Sequence, residues 1–175
     1  MTNLEIMKVK LHACVIARLM AQGFVGKWPH FRRIHENHTE LITFQTNKYG
    51  GSFTVEVSAV FQNREDKNYL SLDGKAFSLD TVNVWDTERR YRLKGMYDGW
   101  FYYRDLYRNR SLFHSRYLDV SEKEADRFQP PKGYKLVRKF NEETAEDICG
   151  RVNCQMKAGF MWIERFVKKE LRYEE

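Results

Sequence analysis

Apolar side chains return every three or four positions at the start of the chain. Ile6, Val9, Ala13, Ile16 and Met20 make one stripe, and that period predicts an amphipathic helix over residues 4–22. Thr2 or Asn3 is placed to cap it, Glu5 lies in the first turn where a carboxylate meets the positive helix end, and Gly23 offers the left-handed conformation that stops it. The period then changes to two. Three strand-like runs follow: residues 24–35, aromatic and basic; 40–49, rich in β-branched and aromatic residues; and 52–61, where Phe53, Val55, Val57, Ala59 and Phe61 alternate with Thr54, Glu56 and Ser58. Turns at Glu36-Asn37-His38 and Tyr49-Gly50-Gly51 join them into an antiparallel meander. The alternation in the third run predicts one face on a core and the other in water.

Residues 62–83 are polar and irregular, with a turn at Asp73-Gly74, and read as a surface excursion. β-formers come back around residues 82–85, 90–93 and 100–106, predicting two or three further strands on the same sheet. Ser121-x-x-Glu124 has the form of a capping box, opening a short helix closed before Pro130-Pro131. A second box, Thr144-x-x-Asp147, precedes Ile148, Val152, Met156, Phe160, Ile163 and Phe166 at helical period. Ala158-Gly159 falls mid-run, where glycine costs about 1 kcal/mol against alanine, so two successive helices or one bent helix are expected. The order defines an α+β fold: a meander-rich antiparallel sheet with N- and C-terminal helices packed on one face, in a single domain over residues 1–175.

Composition narrows the classes. The 175 residues include 12 Phe, 10 Tyr and 4 Trp, enough large rings to exclude a disordered chain, while 10 Gly and 3 Pro exclude a collagen-like or linker-like one. No run of about 18 apolar residues exists, and residues 1–10 lack the layout of a secretory signal. Three cysteines, Cys14, Cys149 and Cys154, are too few and too scattered for a disulfide framework; they read as reduced and the compartment as cytoplasmic, with no membrane partner.

Several stretches carry a resemblance. Gly23-Phe24 after the first helix, Trp28 to Arg33, the run Leu41-Ile42-Thr43-Phe44-Gln45-Thr46-Asn47-Lys48, and Gly51-Ser52-Phe53-Thr54-Val55 resemble the bacterial family known as domain of unknown function 4304. Trp85, Arg89-Arg90-Tyr91-Arg92-Leu93, Trp100 and Gly159-Phe160-Met161-Trp162-Ile163-Glu164 look like its later landmarks; Glu56 stands near the point where the family typically has asparagine. The resemblance implies a fold and a size over roughly the whole chain. It implies no activity.

Motifs for chemistry are few. His30, His35 and His38 lie near the first turn with Glu36 and Glu40, but residues 30 and 35 of one strand point to opposite faces and the spacing fits no compact zinc motif, so they read as turn residues and no metal is assigned. Cys149 and Cys154 are five apart, which on a helix separates the thiols. Dinucleotide, phosphate-loop and nucleophile-elbow motifs are missing, so no cofactor and no catalytic residue are assigned.

What rises above background is residues 100–117, with seven aromatics and four arginines against the single acid Asp105. Half of the net charge of +6 falls there. Tyr102, Tyr103, Arg104, Tyr107, Arg108, Arg110 and Arg116, with Arg89, Arg90 and Arg92 upstream, are the candidate binding residues. Tyrosine, tryptophan and arginine together favour a protein interface, and the first expectation is a non-enzymatic protein-binding module, of which an immunity protein is one form. The alternatives are single-stranded nucleic acid held by phosphate pairing and base stacking, an enzyme assembled from scattered residues, or a plain strand with aromatics inward and arginines outward.

Overall fold

The computed structural model describes residues 2–61, 81–95, 99–109, 116–119 and 129–172, the four residues 116–119 by their backbone. The excursion over 62–80, the Asp73-Gly74 turn, the Ser121 to Glu124 box and Arg110 lie outside the described residues.

The N-terminal helix begins as its sequence dictates. Thr2 accepts a hydrogen bond from the Glu5 amide, and the Glu5 carboxylate accepts one from the Thr2 amide, a closed capping box. Helix α1 (Asn3–Leu11) passes through a π-helical turn (His12–Ile16) into α2 (Ala17–Ala21) without leaving helical dihedrals at either junction. Gly23, at φ 88°, ends it. The buried stripe differs from the expected one: Met7, Leu11, Val15, Ile16 and Leu19 face the core, while Val9 and Met20 are exposed. The extra residue of the π turn advances the phase, so positions four apart stay aligned where a regular helix would drift off the face.

Every strand pairing among the described residues is antiparallel. Strands β1 (Val25–Lys27), β2 (His30–Ile34), β3 (His38–Thr46) and β4 (Ser52–Phe61) form a meander, so the run expected over 24–35 is itself a hairpin, turned at the cis peptide Trp28-Pro29. The far edge of β4 is shared by two short strands, β5 (Tyr91–Arg92) at its centre and β6 (Phe101–Tyr102) at its start. Gly50 and Gly51 both have positive φ, 77° and 73°, inside a five-residue loop between β3 and β4.

Phe53, Val55, Val57, Ala59 and Phe61 of β4 join Met7, Leu11 and Val15 and the C-terminal helix in one core, which places the N- and C-terminal helices on one face. The other face is not wet: all ten residues of β4 are buried. The segment after the excursion covers it. Val82 and Val84 pack on Leu41 and Val60, Ser58 donates to the Arg89 carbonyl at 2.7 Å, and the Glu56 carboxylate receives Arg92. Residues 84–86, expected as strand, form a 3-10 turn because Asn83 and Asp86 cap each other's backbone amides.

Of the two or three further strands expected on the main sheet, two are there, as β5 and β6, whereas strands β7 (Leu106–Asn109), β8 (Arg116–Asp119) and β9 (Tyr134–Arg138) form a separate three-stranded sheet in the order β8-β7-β9. The C-terminal helix α3 (Glu142–Arg172) is one unbroken element of 31 residues. Asn141 caps it, accepting from the Thr144 amide at 2.8 Å, so the helix starts ahead of the expected box. Gly159 does not interrupt it. A Cβ there would sit 3.0 Å from Leu93 Cδ2 and 3.4 Å from Val57 Cγ1, so the missing side chain is what lets the helix settle on β4 and the segment after β5. No helix among the described residues is long and apolar enough to cross a membrane.

Candidate functional site

The arginine-aromatic segment divides where β6 gives way to β7. Phe101 and Tyr103 turn into the core, Tyr103 lying 6.3 Å from the Phe53 ring and 6.2 Å from Phe140. Arg104 is buried as well: it runs past Gly51, and its guanidinium stands 5.5 Å from the centre of the Tyr102 ring. Burial depresses its pKa, Tyr102 and Tyr103 oppose that, and an arginine so placed stays cationic. Tyr102, Tyr107 and Arg108 are half-buried. Arg116 opens β8, its backbone opposite Asn109.

The upstream arginines have intramolecular tasks. Arg92 donates twice to Glu56 Oε1, at 2.9 Å from Nε and 2.7 Å from an Nη, while Arg90 Nε stands 3.8 Å from Glu56 Oε2. Arg89 pairs with Glu170 of α3 at 3.0 Å. These three therefore brace β4 and α3, and each keeps part of its surface in solvent.

Strand β9 was not anticipated, although Tyr134-Lys135-Leu136-Val137-Arg138 after a glycine is a strand signal in itself. Gly133, at φ 90°, turns the chain where a Cβ would lie 3.0 Å from the Asn109 side chain, and this close approach lays β9 beside β7. An Arg138 Nη donates to the Tyr102 carbonyl at 2.6 Å, and Asp105 accepts from the Phe140 amide at 2.8 Å, fixing β9 and the start of α3 to the β6–β7 connection. Tyr107 lies opposite Leu136 and Arg108 opposite Lys135. Leu136 and Val137 are 47% and 43% exposed, Val137 being the extra residue of a bulge where the register against β7 shifts. Among the described residues β9 is one outer strand of its sheet, and β8 is the other.

A second cluster forms at the β2–β3 turn, which the His35 amide closes by donating to the His38 carbonyl at 2.8 Å. His35 and His38 stack with ring centres 4.3 Å apart, and their Nε2 atoms lie 3.5 and 3.9 Å from Glu40 Oε1. Arg33, across the ladder, holds Glu40 Oε2 through Nε at 2.7 Å and an Nη at 2.6 Å. Burial acts to raise the Glu40 pKa, but His38, Arg33 and His35 outweigh it and keep the carboxyl below its ordinary value. His30 stands apart, edge-on to Trp85 with Nδ1 3.0 Å from Thr43 Oγ1. The expectation that the turn histidines would not converge thus holds for His30 and fails for the other two: His38 and Glu40 are two apart on one strand face, and the turn folds His35 back over them.

On the helical side, a groove of about 400 Å³ opens between the π turn and the β1–β2 hairpin, walled by Ile16, Met20, Trp28 and Phe31 with His12 and Lys27.

The chain is thus an α+β protein with a helix-covered antiparallel sheet and a small basic second sheet. It belongs to the family described as Domain of unknown function (DUF4304), whose model matches residues 15–165. No curated protein and no solved structure gives a significant match.

Proposed function

We propose that the protein is a non-enzymatic binding module whose partner is an acidic protein segment, docked in extended form along β9. The observation that carries this is the outer strand itself: Leu136 and Val137 are exposed between Lys135 and Arg138, with Tyr107 and Arg108 on the neighbouring strand. An outer strand offers backbone amides and carbonyls to an incoming strand, alternate side chains give selectivity, and the basic rim favours carboxylates. Arg90 and Arg92 are spent on the buried Glu56, and Tyr103 on the core, so the contact surface is narrower than the full arginine-aromatic segment.

A peptide alternating valine with glutamate is the probe, followed by NMR of the backbone amides, beside a scrambled peptide and an oligothymidine strand. Saturable shifts centred on residues 134–138, lost in Leu136→Lys and Val137→Lys, are expected. Absence of saturation refutes the reading. Preference for the oligothymidine with affinity falling steeply in salt moves the function to single-stranded nucleic acid.

A further inference from the structure

We propose that His35, His38 and Glu40 form a binding site for a divalent transition-metal ion of the zinc class. One donor atom from each residue lies within 4.8 Å of the other two. Four-coordinate zinc, with bonds of about 2.0–2.2 Å, sets its donors roughly 3.4 Å apart, so the 3.5 and 3.9 Å separations from Glu40 Oε1 need only a few tenths of an ångström of closure. The stacked rings must splay so that their lone pairs converge. His35, 37% exposed at the turn, has room for that rotation; His38 and Glu40, at 13% and 11%, are the fixed side of the site.

The surrounding atoms support the assignment. Asn37 Oδ1, 2.8 Å from His38 Nδ1, accepts a hydrogen bond from Nδ1–H, which favours the tautomer whose Nε2 lone pair is toward the cluster. Arg33 occupies Glu40 Oε2 and orients the carboxylate with Oε1 toward the imidazoles. The same guanidinium adds a positive charge near the ion, which weakens the affinity relative to a site without it. Two imidazoles and one carboxylate suit zinc, nickel or copper, and do not suit magnesium or calcium, which want oxygen donors. Three protein donors leave a fourth position for water or a partner's side chain.

Zinc titration of the full chain, read by nitrogen NMR of the histidine side chains, is the test. One equivalent should move Nε2 of His35 and His38 together and leave His12 and His30 in place, while magnesium moves none. Binding should be lost in His35→Ala, a turn variant that keeps the fold, and weakened about 10–100-fold in Asn37→Ala. No saturable shift in the micromolar range overturns the proposal. So does zinc binding that survives both His35→Ala and His38→Ala, since it would then reside at the exposed Cys154 or elsewhere.

Discussion

Removing the Arg92 side chain should destabilise the protein through one buried carboxylate. Glu56 is 3% exposed at the centre of β4, and Arg92 places two donors on the same oxygen, at 2.9 and 2.7 Å. A charge-assisted hydrogen bond contributes about 1.5–3 kcal/mol net, and two that share one acceptor oxygen amount to little more than one. The guanidinium is 43% exposed, so water screens the pair and replaces part of the contact once it is gone. Arg90, 3.8 Å from the other oxygen, keeps a cation near the site in the variant. The coupling in an Arg92→Ala, Glu56→Gln double-mutant cycle should therefore be about 1–2 kcal/mol, well below the roughly 3–5 kcal/mol of a fully buried pair broken on one side. For a chain of this length each kcal/mol shifts the melting temperature by about 2–4 °C, so Arg92→Ala should melt roughly 4–8 °C lower for a loss near 2 kcal/mol. Urea unfolding followed by tryptophan fluorescence gives the four free energies. A coupling under about 0.5 kcal/mol would falsify the bracing role, because the two side chains would then act independently.

The remaining predictions concern backbone and thiols. Gly50→Ala meets open space at φ 77° and should cost about 1–2 kcal/mol for the left-handed backbone alone; Gly51→Ala, whose Cβ would lie 2.5 Å from Arg104 Cδ, should cost clearly more, and equal urea midpoints would refute the difference. Cys154 is exposed, whereas burial and then the neighbouring Cys14 push the Cys149 thiol up to about 12. A disulfide reagent should modify Cys154 quickly in the native protein and reach Cys149 only on unfolding. If the fast reaction persists in Cys154→Ser, the assignment fails.

Local chemistry was legible wherever neighbours in the chain decide the outcome. The helix start at Thr2 or Asn3 with Glu5 in the first turn, the stop at Gly23 and the limits of β4 follow from side chains a few residues apart, and so does the α+β order. The arginine-aromatic segment was only partly legible. Composition marked residues 100–117 as unusual, but whether a ring faces the core depends on what lies opposite: Tyr103, just past β6, is buried against Phe53 and Phe140, while Tyr107, on the second sheet, is half-buried.

The sequence by itself determined the terminal helices, the meander between them and the family, because these rest on periodicity and on caps that work within a turn or two. Only the tertiary structure decided which faces are buried. Gly159 looked like a break in α3 and is instead the point where that helix touches Leu93 and Val57; the polar residues of β4 looked wet and are roofed by residues 82–92. His35, His38 and Glu40 meet for the same reason, since the turn and the ladder bring together side chains whose spacing alone gave no sign of it. Burial and convergence arise from contacts far apart in the chain, and a pattern read along one strand carries no record of what packs against it.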